Sequence, residues 1–532
     1  NACFDWWTLP PTNKDPYSTN LCQDVAVFLL IVSLVRQGYA NLLVVTDSAD
    51  LAAQVGSWAR NEPVRVVVAV RGKGAWRRLI RLYTPSGVIK ACLTTIYGSL
   101  VSPRYRPDSR SSDGLVVVLS LVYPSSFHGE HSGDYQDVYF GPLVDYLEKS
   151  GRQALVIGIM RGPFGSLAGK LRRVRTRVPV IPVEGFLTAS DIIWCSFHAL
   201  RVFAKGVRIK GELRIEGVDI GVLVRRLFTE ASRSGSPFVN FQVYRAGLRL
   251  AQNFAVERCI YPHENRTWEN MLILAMRQVY GKTRIIGYQH SAIAPSHLHF
   301  FLEDGEAGVT PLPDVLLTTG DFTQEWLARE GGYLPGVVQA ACGLRQRGPR
   351  AAQPPPKAKE RGNTLLVALG NPVLEDYVGT VKLLESALSG SNNRHVVIRP
   401  HPTNPVSIQG AIDAAALSDK LVCSMSRGDV RDALGEADVV IYASSTVGIE
   451  AASFGLPTIC LDLGKGLDTD PMWGWDEFKW RADSPYTLVQ ALEEIEGLSK
   501  EKFQALSLRA QAFAHAYLLP VSDKRIARFL EV

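Results

Sequence analysis

Short apolar runs rich in Val, Ile and Leu recur along the chain, separated by stretches in which apolar residues return every three or four positions. In the first half the runs fall at 42–46, 64–70, 115–122, 154–159 and 284–288. They are continuous, as expected of strands covered on both faces. The stretches between them, 48–60 and 139–149 among them, carry a helical period. Strand and helix alternating in this way predict a parallel sheet with helices on both sides, so the first half reads as a Rossmann-like domain. At 343–362 the pattern stops. Arg345, Arg347, Arg350, Pro354, Pro355, Pro356, Lys357 and Lys359 crowd into a stretch almost free of large apolar side chains, the composition of a linker. Alternation resumes at 364–368, 395–399, 420–423, 438–442 and 457–462, which predicts a second Rossmann-like domain. The expected division is a first domain at 1–342, a linker at 343–362, a second domain at 363–518 and a tail helix at 519–532 that crosses back to the first domain.

Composition narrows the class. The 532 residues, at about 150 per domain, allow roughly two to four domains. With 46% hydrophobic and 21% charged residues the chain is globular, and wholesale disorder, collagen-like repeats and a multi-span membrane protein are excluded. The excess of 58 basic over 52 acidic residues, +6, is too thin to argue for nucleic acid as a partner. Eight cysteines include no C-x-x-C pair and read as small buried hydrophobes, so neither a zinc site nor a disulfide framework follows. This usage favours a reducing, cytoplasmic location. The longest apolar run, 25–35, spans about half of the ~20 residues a bilayer requires and predicts a buried helix. The chain opens on Asn1 rather than Met, which leaves a removed upstream segment open.

Doubly wound domains bind ligands beyond the carboxyl ends of their strands, so the residues just after each strand carry the chemistry. After 395–398 comes Arg399-Pro400-His401-Pro402, a stiffened loop presenting a cation and an imidazole; it suits a phosphate and reads equally as a proline-rich surface turn. After 438–442 come Ser444, Ser445 and Thr446, which cap a helix and whose hydroxyls and backbone N–H groups suit a phosphate, with Glu450 one turn on in reach of a ribose hydroxyl. Gly370-Asn371-Pro372 follows the first strand of this domain and is a weaker signal.

The succession Arg399-Pro400-His401-Pro402, Ser444-Ser445-Thr446 with Glu450, and Gly455-Leu456-Pro457 resembles the donor half of GT-B glycosyltransferases of the bacterial surface carbohydrate and capsule polysaccharide type, related to sialyltransferases and Kdo transferases. That resemblance implies two Rossmann-like domains facing across a cleft. It also implies a nucleotide, usually CMP, held by His401, Pro402, Ser444 and Ser445, and the residue types at Arg399, Thr446 and Glu450 add to that expected nucleotide site. In the first domain Tyr261-Pro262-His263-Glu264-Asn265 with Trp268-Glu269, Gly287-Tyr288-Gln289-His290-Ser291, Trp6-Trp7 and the stretch 135–141 resemble the surface carbohydrate proteins. Glu303-Asp304-Gly305 matches the acidic pair and glycine of bacterial sialyltransferases.

Chemistry at an anomeric carbon requires a base for the acceptor hydroxyl and positive charge for the departing phosphate. Glu264, His290 and Asp304 are the candidates for the base; each also has a plain reading, as a helix cap, a strand-end hydrogen bond and a turn residue. Two motifs are declined. Asp468-Thr469-Asp470 has the D-x-D form of a metal-holding loop but reads as a solvated turn before Pro471, so no metal and no cofactor are expected. Gly281-Lys282-Thr283 mimics a P-loop end, yet Met276 stands where the earlier glycine is required. Basic clusters at 71–81 and 161–177 read as solvated helix faces or as contacts with an anionic membrane surface, at its inner face.

The expectation is a metal-independent glycosyltransferase that moves a sugar, a nonulosonic acid or Kdo-like sugar from a CMP donor, onto a surface polysaccharide or lipid-linked glycan. Its alternatives are a UDP-sugar glycosyltransferase, a CDP-glycerol glycerophosphotransferase, and a non-catalytic glycan-binding or scaffold protein.

Overall fold

The computed structural model describes residues 2–71, 84–105, 114–128, 134–174, 177–207, 209–279, 282–345, 363–370, 374–388, 394–400, 422–426, 428–464 and 467–532. Two parallel sheets organise them. The first has seven strands in the order Val338–Ala340, Val315–Thr318, Arg284–Tyr288, Val256–Pro262, Leu115–Val122, Ala154–Met160 and Val180–Pro182, each parallel to its neighbours. The chain enters at Leu115–Val122, builds outward to one edge, then returns to build the other from Val256–Pro262, so the strand order reverses between these two. The Val/Leu run at 115–122, interrupted only by the buried Ser120, is what such a central strand demands. Val116 and Val118 face Phe140, Leu143 and Leu147 on one side of the sheet, and Val117 and Leu119 join Leu250, Leu272 and Met276 on the other.

The second sheet has six parallel strands, Val422–Met425, His395–Arg399, Thr364–Leu369, Val439–Ala443, Thr458–Leu461 and Lys479–Ala482, and its order reverses between Thr364–Leu369 and Val439–Ala443. Leu365, Val367 and Leu369 pack beneath Tyr377, Val381, Leu488 and Leu492. The chain thus folds as two Rossmann-like α/β domains facing across a cleft.

Two long-range ties hold the halves together. The helix Lys500–Tyr517 sets Phe513 edge-on to Phe322 with ring centroids 5.2 Å apart, and Tyr517 accepts the Ile293 N–H at 2.9 Å. The chain then pairs Leu519 N–H with Thr319 O at 2.9 Å and accepts Gly343 N–H on Leu519 O at 3.0 Å. The last helix, Asp523–Glu531, puts Ile526, Phe529 and Leu530 into the core of the first sheet. Burying each such side chain contributes about 1.5–3 kcal/mol.

Some expectations need correction. The runs at 42–46 and 64–70 do form strands, Asn41–Thr46 and Arg65–Val70, but among the described residues they pair only with each other and are covered on one face. Leu42, Val44, Val66 and Val68 pack toward Phe28 and Val55, while Leu43, Val45 and Val67 face solvent. The helix expected to be buried, Leu21–Arg36, hides Phe28, Ile31 and Val32 and exposes Leu30. Cys195, Cys259, Cys342 and Cys460 are buried, but Cys22 is exposed. Among the described residues no helix is long and apolar enough to cross a membrane.

Candidate active site

Both strand-order reversals leave a crevice at the carboxyl ends of their sheets. On the first sheet Val256–Pro262 leads into His263 and Glu264, and Arg284–Tyr288 into Gln289 and His290. Asn265 adopts a left-handed conformation (φ 51°) that turns the chain sharply into the helix Thr267–Val279. The cap comes from elsewhere: Thr267 N–H donates to Asn13 Oδ1 at 2.8 Å, and the buried Glu269 carboxyl accepts Glu264 N–H at 3.0 and 3.1 Å. Thus Glu269, not Glu264, closes this turn. It frees the Glu264 carboxylate to meet His290, with Oε1 3.4 Å from Nε2. Arg266 Nε donates to the other Glu264 oxygen at 3.0 Å, and its Nη1 pairs with Asp15 at 2.7 Å.

The electrostatics of this pair follow from burial against nearby cations. Burial pushes the Glu264 carboxyl up, but the charges at His290 and Arg266 outweigh it and hold the group at about 2. Burial drives the His290 imidazole down, Glu264 pulls it partway back, Arg345 depresses it further, and it stands at about 4. At neutral pH the arrangement is a carboxylate beside a neutral imidazole. The Tyr139 ring lies edge-on to His290, centroids 4.4 Å apart, and the Arg345 guanidinium sits 5.1 Å over Tyr139. Glu264, Arg266, Tyr139 and His290 line a groove of about 940 Å³ that continues past Lys90, Thr94 and Val239.

On the second sheet a cavity of about 220 Å³ opens at the reversal point, lined by Gly370, Ser444, Asp462, Asp468, Thr469 and Arg481 among others. A Cβ on Gly370 would meet the Ala443 carbonyl and lie 2.5 Å from that of Ser444, so only glycine fits. Ser444 is held left-handed (φ 53°), a strained conformation for a non-glycine residue, with its hydroxyl 2.5 Å from Thr469. Ser445 is buried and accepts Val447 N–H at 3.3 Å at the start of the helix Val447–Ser453; Thr446 is exposed. Arg399 donates to Ser426 Oγ at 3.2 Å and to Gly428 O at 2.7 Å. Burial pushes Glu450 up to about 7 against the pull of Arg399 and Arg345. His401, Pro402, Asn371 and Pro372 lie outside the described residues.

The two domains are linked beside these crevices. Arg345, rooted in the first domain, acts electrostatically on both His290 and Glu450, and Ser296 N–H donates across the cleft to Asp468 O at 3.1 Å. Glu264 and His290 therefore form one cluster, and the charge of Arg345 reaches both that cluster and Glu450. Asp304 is not part of it: it occupies an exposed turn near Lys14, whose ammonium pairs with Glu306 at 2.8 Å. Gln289 is fully buried and braces the neighbouring strand by accepting Thr319 N–H at 3.1 Å.

The D-x-D stretch is not the solvated turn expected. Asp470 is buried, accepts the Tyr442 hydroxyl at 2.7 Å and pairs at 2.7 Å with a fully buried Lys479, while Asp468 pairs with Arg481 at 2.7 Å. Among the described residues no cluster of three or more His, Cys, Asp or Glu is placed to hold a metal. Reading the sequence alone misses Arg266, and also Asp15, Tyr139 and Arg345, which join the cluster from distant stretches. For Arg266 a local signal existed, its place two residues after Glu264 in the strand-to-helix turn.

No protein-family model matches the chain, and no curated protein does. Among solved structures it is similar to MurG of Acinetobacter baumannii (13% identity, TM-score 0.46, covering 79% of this chain and 100% of that one). It is also similar to a glycosyltransferase from Rickettsia africae (11%, TM-score 0.43, covering 79% and 98%). A third is the UDP-GlcNAc 2-epimerase from Neisseria meningitidis bound to UDP-GlcNAc (10%, TM-score 0.44, covering 78% and 99%).

Proposed function

We propose that this chain is a glycosyltransferase that takes a sugar from a nucleotide-activated donor held on the second domain and passes it to a hydroxyl of a glycan or lipid-linked glycan bound on the first. The observation that carries this reading is the juxtaposition across the cleft: a neutral imidazole backed by a carboxylate on one side, a carboxylate and hydroxyl-rich turn on the other, and Arg345 between them. In this reading His290 accepts the proton of the acceptor hydroxyl as it attacks the anomeric carbon, and Glu264 stabilises the imidazolium that forms. Arg399, His401, Pro402 and Ser444–Thr446 receive the nucleotide phosphate, Glu450 accepts a ribose hydroxyl, and the guanidinium of Arg345 offsets negative charge on the leaving group. Positive charge on side chains makes a divalent cation unnecessary for departure.

The donor nucleotide follows from the base that fits, and CMP and UDP sugars both suit a site of this chemistry. Calorimetric titration with CMP, UMP, UDP and CDP, on the wild type and on His401→Ala and Ser445→Ala, orders the candidates; each substitution should weaken the preferred nucleotide by the roughly 1.5–3 kcal/mol of a charge-assisted hydrogen bond. Incubation with CMP- and UDP-activated sugars and glycan acceptors, read by mass spectrometry, then tests transfer. Failure of every nucleotide to bind would refute the enzyme reading and favour a glycan-binding scaffold.

A further inference from the structure

We infer that the helices Ser86–Val101 and Ala189–Lys205 together form a face that seats on an anionic lipid bilayer. Each helix buries one stripe and exposes another that is equally apolar. On Ser86–Val101 the residues Val88, Thr95 and Gly98 turn inward, while Ile89, Leu93, Ile96 and Leu100, at successive turns, stay in water. On Ala189–Lys205 the exposed stripe is Ile193, Phe197 and Leu200. A hydrogen bond from Ser196 Oγ to Cys92 Sγ at 3.4 Å sets the helices side by side, which brings Leu93 and Phe197, each one residue from the bond, onto the same outer surface. Leu100 is 77% exposed, Ile193 69%, Phe197 64% and Leu93 62%. Single exposed apolar residues are ordinary, but two adjoining stripes of them mark an interaction surface.

Charge selects the occupant. The helix Ser86–Val101 contains no acidic residue, and neither does its neighbour Phe164–Leu171. The sole carboxylate on Ala189–Lys205, Asp191, is fully buried between Arg245 and Arg249. The cations remain outside: Lys90, Arg104, Arg173 and Lys205 are exposed, and Arg172 is carried to the carboxyl end of Ser86–Val101 by a 2.5 Å bond to Val101 O. Apolar side chains ringed by basic ones and, among the described residues of these helices, free of exposed acid match the boundary between acyl chains and anionic headgroups, where the stems of Lys and Arg also find apolar surface. The next face of the same helix, Lys90, Ala91 and Thr94, lines the groove that ends at Glu264 and His290. A bilayer on this surface would therefore stand beside the groove's far end.

The test is co-sedimentation of the full chain with phosphatidylcholine vesicles with and without phosphatidylglycerol. Binding should require the anionic lipid and weaken as salt is raised. Leu93→Asp/Phe197→Asp and Arg172→Glu/Arg173→Glu should each weaken it by about ten-fold or more. Leu508→Asp, on an exposed residue of the helix Lys500–Tyr517, should not. All these positions except the partly bonded Arg172 are simple surface sites, and matching circular dichroism and melting curves confirm that the variants fold. Absence of vesicle binding, equal binding to neutral vesicles, or binding indifferent to both double variants would overturn the inference. So would a concentration-dependent dimer in lipid-free sedimentation that Leu93→Asp/Phe197→Asp abolishes.

Discussion

The buried pair Lys479–Asp470 offers the sharpest quantitative test of why the D-x-D stretch exists. The Lys479 side chain is 0% and the Asp470 side chain 1% exposed, with 2.7 Å between charges. Removing one partner of a buried pair strands the other and costs about 3–5 kcal/mol. In Lys479→Met the stranded Asp470 keeps the Tyr442 hydroxyl at 2.7 Å, Met472 N–H at 2.9 Å and Arg481 at 3.4 Å. The expected loss therefore lies at the lower end, about 3 kcal/mol, or roughly a 6–12 °C lower melting temperature for a domain of about 150–250 residues. Asp470→Leu should cost a similar amount, since the ammonium would retain only Asp476 at 2.9 Å and Met472 O at 2.8 Å. Combining the two removes both charges at once, and the double variant should be more stable than either single one. Urea unfolding followed by tryptophan fluorescence suits the measurement, because Trp473, Trp475 and Trp480 flank the pair. Additive losses in the double variant, or a melting temperature of Lys479→Met within about 1 °C of wild type, would refute the reasoning. If the pair is what these acidic residues serve, EDTA should change neither melting nor transfer; loss of transfer restored by manganese would return Asp468 and Asp470 to a metal site.

Further outcomes are expected at the cleft and beneath it. His290→Ala should lower the transfer rate at least ~100-fold and Glu264→Gln by less, with Asp304→Ala close to wild type, measured as initial rates with saturating donor. Nucleotide affinity should rise as pH is raised through about 7, where Glu450 gains its charge and becomes a stronger acceptor for a ribose hydroxyl, and Glu450→Gln should flatten that profile in calorimetry. Gly370→Ala should abolish nucleotide binding by pushing a methyl group into the Ser444 carbonyl. Phe529→Ala should destabilise the first domain by about 3–5 kcal/mol in chemical denaturation, since Phe529 is fully buried edge-on to Tyr288.

What the chain reveals of its own fold depends on how local each cause is. The strand Leu115–Val122 begins and ends where its apolar run does, because burial on both faces leaves only Ser120 as a polar position, while Arg284–Tyr288 and His395–Arg399 keep their expected bounds although each opens on a polar residue. Strands Val256–Pro262 and Lys479–Ala482 escape the pattern because charged residues interrupt their apolar sequence: Glu257 and Arg258 in one, which pair with each other and, for Glu257, with Arg152, and Lys479 and Arg481 in the other, which pair with Asp470 and Asp468. The runs at 41–46 and 65–70 mislead for the opposite reason. Unbroken apolar sequence is compatible with a one-sided sheet, and only tertiary packing shows that their outer face stays wet. The same holds for the site. Glu264 and His290 are legible because each follows a strand, whereas Asp15, Asn13 and Tyr139 are brought to them by folding, and no spacing in the sequence encodes that meeting.

Arg345 explains how the two crevices come to be tuned together. Tyr288, the last residue of its strand, donates its hydroxyl to Cys342 O at 2.9 Å and accepts Leu344 N–H at 2.8 Å, so the segment leaving the first domain is pinned to the strand that ends two residues before His290. Arg345 is the next residue, and its guanidinium over Tyr139 is fixed in the frame of the first domain. Its effect on Glu450 is therefore an effect of one domain on the other. Burial raises the Glu450 carboxyl while Arg399, from the same domain, and Arg345, from across the cleft, lower it. Arg431, also on the second domain, is a third opposing cation, so Arg345 supplies the cross-domain share of the pull on Glu450. The donor-side carboxylate and the acceptor-side imidazole are thus both under the charge of one guanidinium, held where the chain leaves the first domain.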